Sequence, residues 1–459
     1  MFSLSGDPSV LSYTLDSAES SMVYGLGIEQ GQAVGLRSIA EPIASEPEDS
    51  EEGVETNCSE DILVELLSEL ALDREVQSNI VPFVAQSFTS WMSRFLFEPN
   101  RVISLTRDTI VRGHFGDERL QRMILIANIV LSISKSTNYE LEHFQILYRE
   151  LITKVVKTRT QCELTREVAL EAMESYHQLI CITSKVASLA SILKIMKLYA
   201  PVFRRACPEP GDKLVNLPRT LTSVGPIQLN LQYYATFDVL LSVITYHPML
   251  FRYDLDFLSQ KDEELLNAEN GPGLRWLIGV PDRLVFVLGK MNTLLEECGN
   301  CMDPKVIQEL EEDIRACNPA GSSRPGDDPA LLVGRLMVQE SWRLVGYVYL
   351  FMGLCGMDAS DVRVVKVQKT FMRLLGGVKP RRNPDSFLLF PMLILGVAAS
   401  SPADRSTILA RLWGVSECNK MGTMGNDVVR ILNDIWARTE DRPAVWSDLR
   451  AACLRVTGM

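Results

Sequence analysis

Between residue 328 and Met459 the chain repeatedly sets a small polar residue directly before proline and follows the pair with an apolar run. Asp328-Pro329, Asn383-Pro384 and Ser401-Pro402 are the instances. The polar side chain can accept a hydrogen bond from an orphan N–H of the first helical turn. Proline costs nothing at the first helical position, because its missing N–H would be unpaired there. The pattern predicts a block of packed helices with no strand signal. It contains no catalytic motif, so it turns attention to what a helical domain binds or regulates.

Composition bounds the class. With 46% hydrophobic and 23% charged residues, the 459-residue chain resembles a soluble globular protein with ample material for a core. Its net charge of −12 is concentrated at one end. Residues 1–60 hold twelve acids and one base, Arg37, giving −11 and leaving −1 for the rest. A nearly neutral body lacks the overall positive charge of a nucleic-acid binder, although a local basic patch is compatible with it. Met1 to Val10 lacks the basic start and apolar stretch of a secretory signal. The ten scattered cysteines therefore read as free thiols in a reducing compartment. No apolar run reaches about eighteen residues, so no membrane partner is expected.

Residues 1–58 are rich in Ser, Glu, Gly and Pro and are expected to form a disordered acidic tail. Phe2, Leu4, Leu11, Tyr13 and Leu15 set among Ser and acids fit an activation segment; a solvated leader or linker is the simpler reading. Order is expected from Ser59, which can cap a helix whose apolar face holds Ile62, Leu63, Leu66, Leu67 and Leu70. Residues 59–459 then read as one large all-α domain of stacked helical hairpins, with a hinge candidate at 318–328.

The pattern predicts helices over Val81–Phe97, Arg119–Ile133, Tyr139–Lys157 and Arg166–Tyr199, the last ending before Pro201. Residues 207–231 and 252–273 read as loops, with a short apolar helix over Asp238–Tyr246 between them. Helices follow over Pro281–Leu295 and Pro304–Ile314. The C-terminal block gives Pro329–Met352, Ala359–Leu375, Pro384–Ala399, Pro402–Trp413 and Asp427–Ala437, with a sixth over Asp448–Val456. Gly376-Gly377 reads as a left-handed stop.

Few residues suggest chemistry. Cys298-Gly299-Asn300-Cys301 is the one CxxC, with Cys317 following; a closed zinc site needs a fourth ligand that no nearby residue supplies. The pair reads as two thiols at a helix end. His114, His143, His177 and His247 have no ligand partner at helical spacing and no paired nucleophile. Lys379-Pro380-Arg381-Arg382 suits either a solvated loop or contact with an acidic partner. Gly25, Gly27 and Gly31 lack the spacing of a phosphate loop. Tyr347, Tyr349, Phe351, Trp413 and Trp436 could line a small-molecule pocket, though aromatics at helical spacing more often form core. No catalytic, metal or cofactor residue is assigned.

Several strings carry a family resemblance. They are Gln339-Glu340-Ser341-Trp342, Tyr347 to Gly356, Lys379 to Asp385, Leu395 to Ala399, Trp436, and Arg442-Pro443-Ala444-Val445-Trp446-Ser447-Asp448, with Gly279 to Leu284 upstream. Together they resemble the fungal-specific transcription factor domain, sharply from about Trp276 onward and as architecture from about residue 60. The resemblance implies a helical regulatory domain in a nuclear protein, with a partner protein, a second copy or a small-molecule effector as ligand, and no enzymatic activity. In the family such a domain usually follows a six-cysteine cluster in which two zinc ions hold a DNA-reading module. Here no cysteine precedes Cys58 and the preceding region is acidic, so no sequence-specific DNA binding by this chain alone is expected. A helical interaction scaffold without a transcriptional role is the alternative.

The charge distribution yields a test. In competition at physiological salt, this polypeptide should show no preference for fungal promoter DNA over unrelated DNA, because a body near −1 provides little counterion release. Clear selection of one sequence would defeat the expectation.

Overall fold

The computed structural model describes residues 79–103, 106–107, 110, 117–160, 164–268, 271–300, 302–319 and 329–459. The expected acidic tail (1–58), the helix expected from Ser59, and most of the hinge candidate lie outside these residues. Among the described residues the chain is all-α apart from one short parallel pairing of β1 (Val215–Asn216) with β2 (Tyr253–Asp254).

The first helices are α1 (Ile80–Phe95), α2 (Asp117–Lys135), α3 (Glu142–Thr160), α4 (Arg166–Val186) and α5 (Leu189–Ala206). The middle of the chain holds α6 (Leu217–Thr222), α7 (Pro226–Thr245), α8 (Gln260–Asn267), α9 (Arg275–Ile278), α10 (Asp282–Cys298) and α11 (Pro304–Ala316). Then come α12 (Pro329–Val348), α13 (Val362–Gly377), α14 (Arg382–Asp385), α15 (Leu389–Val397), α16 (Pro402–Trp413), α17 (Met424–Arg438) and α18 (Trp446–Thr457). Side-chain caps fix many of the starts. Thr165, Ser188, Ser259, Asp303 and Thr423 each accept a bond from a first-turn N–H. Sequential pairs pack back on each other as hairpins: α1 with α2, α4 with α5, α12 with α13, α17 with α18.

Helix α7 runs through the middle of the body. Every side chain from Asn230 to Thr245 is buried, and α4, α5, α6, α10, α15 and α18 all pack against it. A helix apolar on all sides has no solvent face, so it must be surrounded. Several of its polar side chains are tied internally, while Asn230 Oδ1 has no partner. Gln232 donates to the Leu221 and Ser223 carbonyls at 3.0 and 2.6 Å. Asp238 accepts from the Leu250 and Phe251 amides and the Tyr253 hydroxyl at 2.8, 3.2 and 2.9 Å. Asn292 of α10 donates to the Val239 carbonyl at 3.1 Å and accepts from the Tyr349 hydroxyl at 2.7 Å.

Elements far apart in sequence are joined at their ends. The Leu189 amide donates to Asp427 at 2.9 Å, and the Met424 amide donates to the Ala187 carbonyl at 2.6 Å. These two bonds explain a difference from the expected Arg166–Tyr199 helix. The chain breaks at Ala187 and Ser188, where α17 takes up the freed groups, and Ser188 caps a new helix. Pro201 does not end that helix; it lies exposed within α5.

Other differences have local causes. Residues 207–231 and 252–273 are not continuous loops, for they contain α6, the start of α7, α8 and the β1–β2 pairing. Gly225-Pro226 starts α7 in the same way as the C-terminal pairs, with glycine at φ 127° in place of a polar cap. The predicted Asp238–Tyr246 helix is thus the second half of a much longer one. Gly376 and Gly377 stay within α13 without positive φ. The helix predicted from Pro384 begins in earnest only at Leu389, since Asn383 is extended and its Oδ1 makes no cap. Ser401 precedes α16 with Pro402 at its first turn but makes no side-chain cap bond. Beyond Val348 the predicted α12 continues as a wider π turn over Tyr349–Leu354.

A buried ion pair pins α16. Arg411 donates to Asp385 at 2.6 Å and to the Leu375 and Val378 carbonyls at 3.2 and 2.6 Å. Removing one partner leaves the other charge buried alone, so Arg411→Met should destabilise by about 3–5 kcal/mol in denaturant unfolding. Adding Asp385→Leu should recover much of that loss; a double variant no better than the single one would refute this account.

Burial pushes the Asp238 carboxyl from 3.8 up to about 7, its three hydrogen-bond donors acting against the shift. The folded state therefore holds this proton more tightly than the unfolded chain. Its contribution to stability is complete below about pH 4 and is lost as pH rises toward 7. Asp238→Asn should accordingly gain on the wild type between about pH 5 and pH 7 in paired melts. A stability difference that stays constant over that range would contradict the assignment.

Candidate functional site

A cavity of about 470 Å³ lies where α1, α4, α7 and α9 meet segments from the C-terminal block. The volume falls in the range of small-molecule sites. Its wall is mainly apolar and aromatic. Helix α1 supplies Trp91, Met92 and Phe95, while α7 contributes Tyr233, Phe237 and Leu240. Trp276 and Leu277 of α9, with Phe387 and Phe390 before and on α15, complete it.

Helix α4 brings the polar stripe. His177, Cys181 and Lys185 are spaced four apart, so they share one helix face, and all three line the cavity. Burial pushes the His177 imidazole down to about 3, with neighbouring Asn230 acting against it, so the ring is neutral. It lies tilted at 51° against Tyr233, with ring centroids 4.6 Å apart. Asn230 stands beside it but off hydrogen-bonding geometry, and neither ring nitrogen has a partner. Burial pushes the Cys181 thiol up to about 12, which keeps it protonated and unsuited to nucleophilic attack.

Charge gathers at one end of the wall. Arg382 forks onto Glu417, with bonds of 3.0 and 2.5 Å, and donates to Ser416 at 3.0 Å. Burial opposes the Glu417 carboxylate, yet the Arg382 hydrogen bonds and charge, helped by Lys185, hold it down at about 2. Phe95 sits among three cations. The Lys185 ammonium is 5.3 Å from its ring centroid, the Arg382 guanidinium 5.1 Å and that of Arg94 5.6 Å. Arg94 also donates to the Ser134 carbonyl at 2.8 Å. Lys185 has no ion pair or hydrogen bond among the described residues. Burial and nearby Arg382 draw its pKa down, and Glu417 draws it up.

Two glycines allow the wall to close. Gly225 holds a φ of 127°, a conformation other residues rarely adopt, where the chain turns into α7. At Gly425 a Cβ atom would come within 3.0 Å of the Cys418 amide nitrogen and the Glu417 carbonyl carbon, so only glycine lets α17 approach the Glu417 turn.

The candidates read from sequence are placed elsewhere, with two exceptions. Tyr349, Phe351 and Trp436 are core, Tyr347 is half-buried and Trp413 is 43% exposed; none lines the cavity. Lys379 and Arg381 are exposed, as a solvated loop requires, but Arg382 turns inward to Glu417. His143 is exposed and His247 half-buried, whereas His177 belongs to the wall. Cys298 is exposed and Cys317 buried, its thiol donating to the Asp313 carbonyl at 3.3 Å. Cys301, His114 and the Gly25–Gly31 stretch lie outside the described residues. Among the described residues no group of His, Cys, Asp and Glu is arranged to hold a metal, and no helix is long and apolar enough to cross a membrane. Lys185 and Glu417 were missed. The signal for Lys185 was present, as a series four residues apart (His177, Cys181, Lys185) on one helix face; Glu417 lies in a short turn without periodicity.

Residues 212–453, more than half of the chain, match the family model described as the fungal specific transcription factor domain. The matched span includes the cavity wall from Ser223 to Gly425, while α1 and α4 precede it. No curated protein and no solved structure matches the chain. The chain therefore belongs to the family of fungal specific transcription factor domains.

Proposed function

We propose that this chain is the regulatory part of a fungal transcription factor-like protein that acts in the nucleus, and that its central cavity receives a small-molecule effector. The observation carrying this reading is the cavity itself: an apolar space of about 470 Å³ with a few convergent polar groups, enclosed by the helices of a regulatory family. Cores close-pack, so a space of this size among packed helices suits an occupant. The chemistry of the wall favours binding over reaction, since the thiol is held protonated and the imidazole has no partner nucleophile. An occupant would touch α1, α4, α7 and the 382–425 segments at once, so its presence would bias how these elements pack. A protein partner or a second copy of the chain would read that change.

The reading can be tested in cells. Fusing residues 1–459 to a foreign DNA-binding module should alter reporter output in a fungal host. Leu229→Trp, which extends an indole from α7 into the cavity, should change that output at equal protein level. Output identical to that of the module alone, or unaffected by Leu229→Trp, would refute the proposal.

A further inference from the structure

The wall of the cavity is unbalanced in charge. Beside the neutral His177, Cys181 and Tyr233, its charged side chains are Arg101, which also acts on the Asp282 carboxyl, Lys185 and Arg382, with one lining carboxylate, Glu417. Arg382 and Glu417 satisfy each other through the forked pair. Lys185 makes no direct ion pair or hydrogen bond among the described residues, feels Glu417 only at longer range, and rests against the Phe95 ring. An ammonium in an apolar enclosure is expected to meet an opposite charge or lose its own.

The Lys185 ammonium, which lines the cavity, can only donate, so it calls for an acceptor. An amine ligand would bring a further cation and more donors to a wall that already has both in excess. A phosphate monoester would bring nearly two negative charges to one uncommitted ammonium, at a high desolvation cost against indole and phenyl rings.

We propose that the cavity binds an apolar carboxylic acid as its monoanion, with the carboxylate on Lys185 and the hydrocarbon or aromatic body against Phe95, Tyr233, Phe237 and Phe387. This rests on the effector-cavity reading and gives it a ligand class. Burial lowers the pKa of Lys185 in the empty cavity. A carboxylate beside it would stabilise the charged form, so the ligand and the proton support each other.

The test uses the full chain and displacement of anilinonaphthalene sulfonate fluorescence by three probes of equal chain length: decanoate, decanol and decylamine. Decanoate should bind at least about tenfold more tightly than decanol, the scale of one charge-assisted contact, and decylamine should be the weakest. In Lys185→Met the preference for decanoate over decanol should fall to near unity while decanol binding holds. Lys185→Arg should keep the preference, which separates loss of charge from loss of packing. Equal binding of decanoate and decanol by the wild type, or a preference that survives in Lys185→Met, would overturn the acid assignment and leave the effector cavity standing. No displacement by any of the three would overturn both.

Discussion

The architecture depends on one helix that has nowhere to meet water. From Asn230 to Thr245 every residue of α7 is buried, so the elements around it must cover it completely. That requirement alone recruits helices from the first, middle and last parts of the chain. Hydrophobic burial supplies the drive but does not choose an orientation. Orientation comes from the few polar side chains on the helix. Gln232 fixes α6, Asp238 fixes the turn before β2, and the Val239 carbonyl is tied through Asn292 to Tyr349. Each is fully internal, so a helix rotated about its axis would leave several polar groups unpaired at once.

The sequence made the helical class legible because apolar periodicity is a local property. It also located most helices, including α3, α11, α16 and α17, from their apolar period. It failed where tertiary partners override local preference. The break at Ala187–Ser188 exists because Asp427 and Met424 offer bonds to the freed backbone, and those residues lie more than two hundred positions away. The half of α7 before Asp238 was hidden by Gly225-Pro226, since a glycine before proline is as characteristic of a loop as of a helix start. The site was less legible still. Aromatics that looked available for a pocket fill the core. The working cluster of Lys185, Arg382 and Glu417 joins a helix face, a loop and a short turn that no local pattern connects.

That cluster also shows how a small apolar cavity tolerates charge. Arg382 and Glu417 neutralise each other in a planar fork, an arrangement that compensates their burial. The Phe95 ring offers its negative face to the cations around it. Lys185 is the group left over, and its position beside an aromatic surface makes that end of the cavity polar. Selectivity in such a site comes from what the wall would reject. A cation, a doubly charged head or an uncharged body each leaves donors or charge unmet.

The long reach of the contacts around the cavity has a consequence for how the chain comes into being. The wall needs Phe95 from α1, Lys185 from α4 and Glu417 from just before α17, and Arg94 touches Ser416 across 322 positions of sequence. Contacts of such separation form late, because the intervening chain must be closed into a loop first. A nascent chain that has emerged only as far as α13 can pair its early hairpins, but the wall segment from Arg382 to Gly425 is still missing. The complete wall thus arrives only with the last quarter of the polypeptide, and a chain cut short there would be well supplied with helices yet lack one side of its cavity.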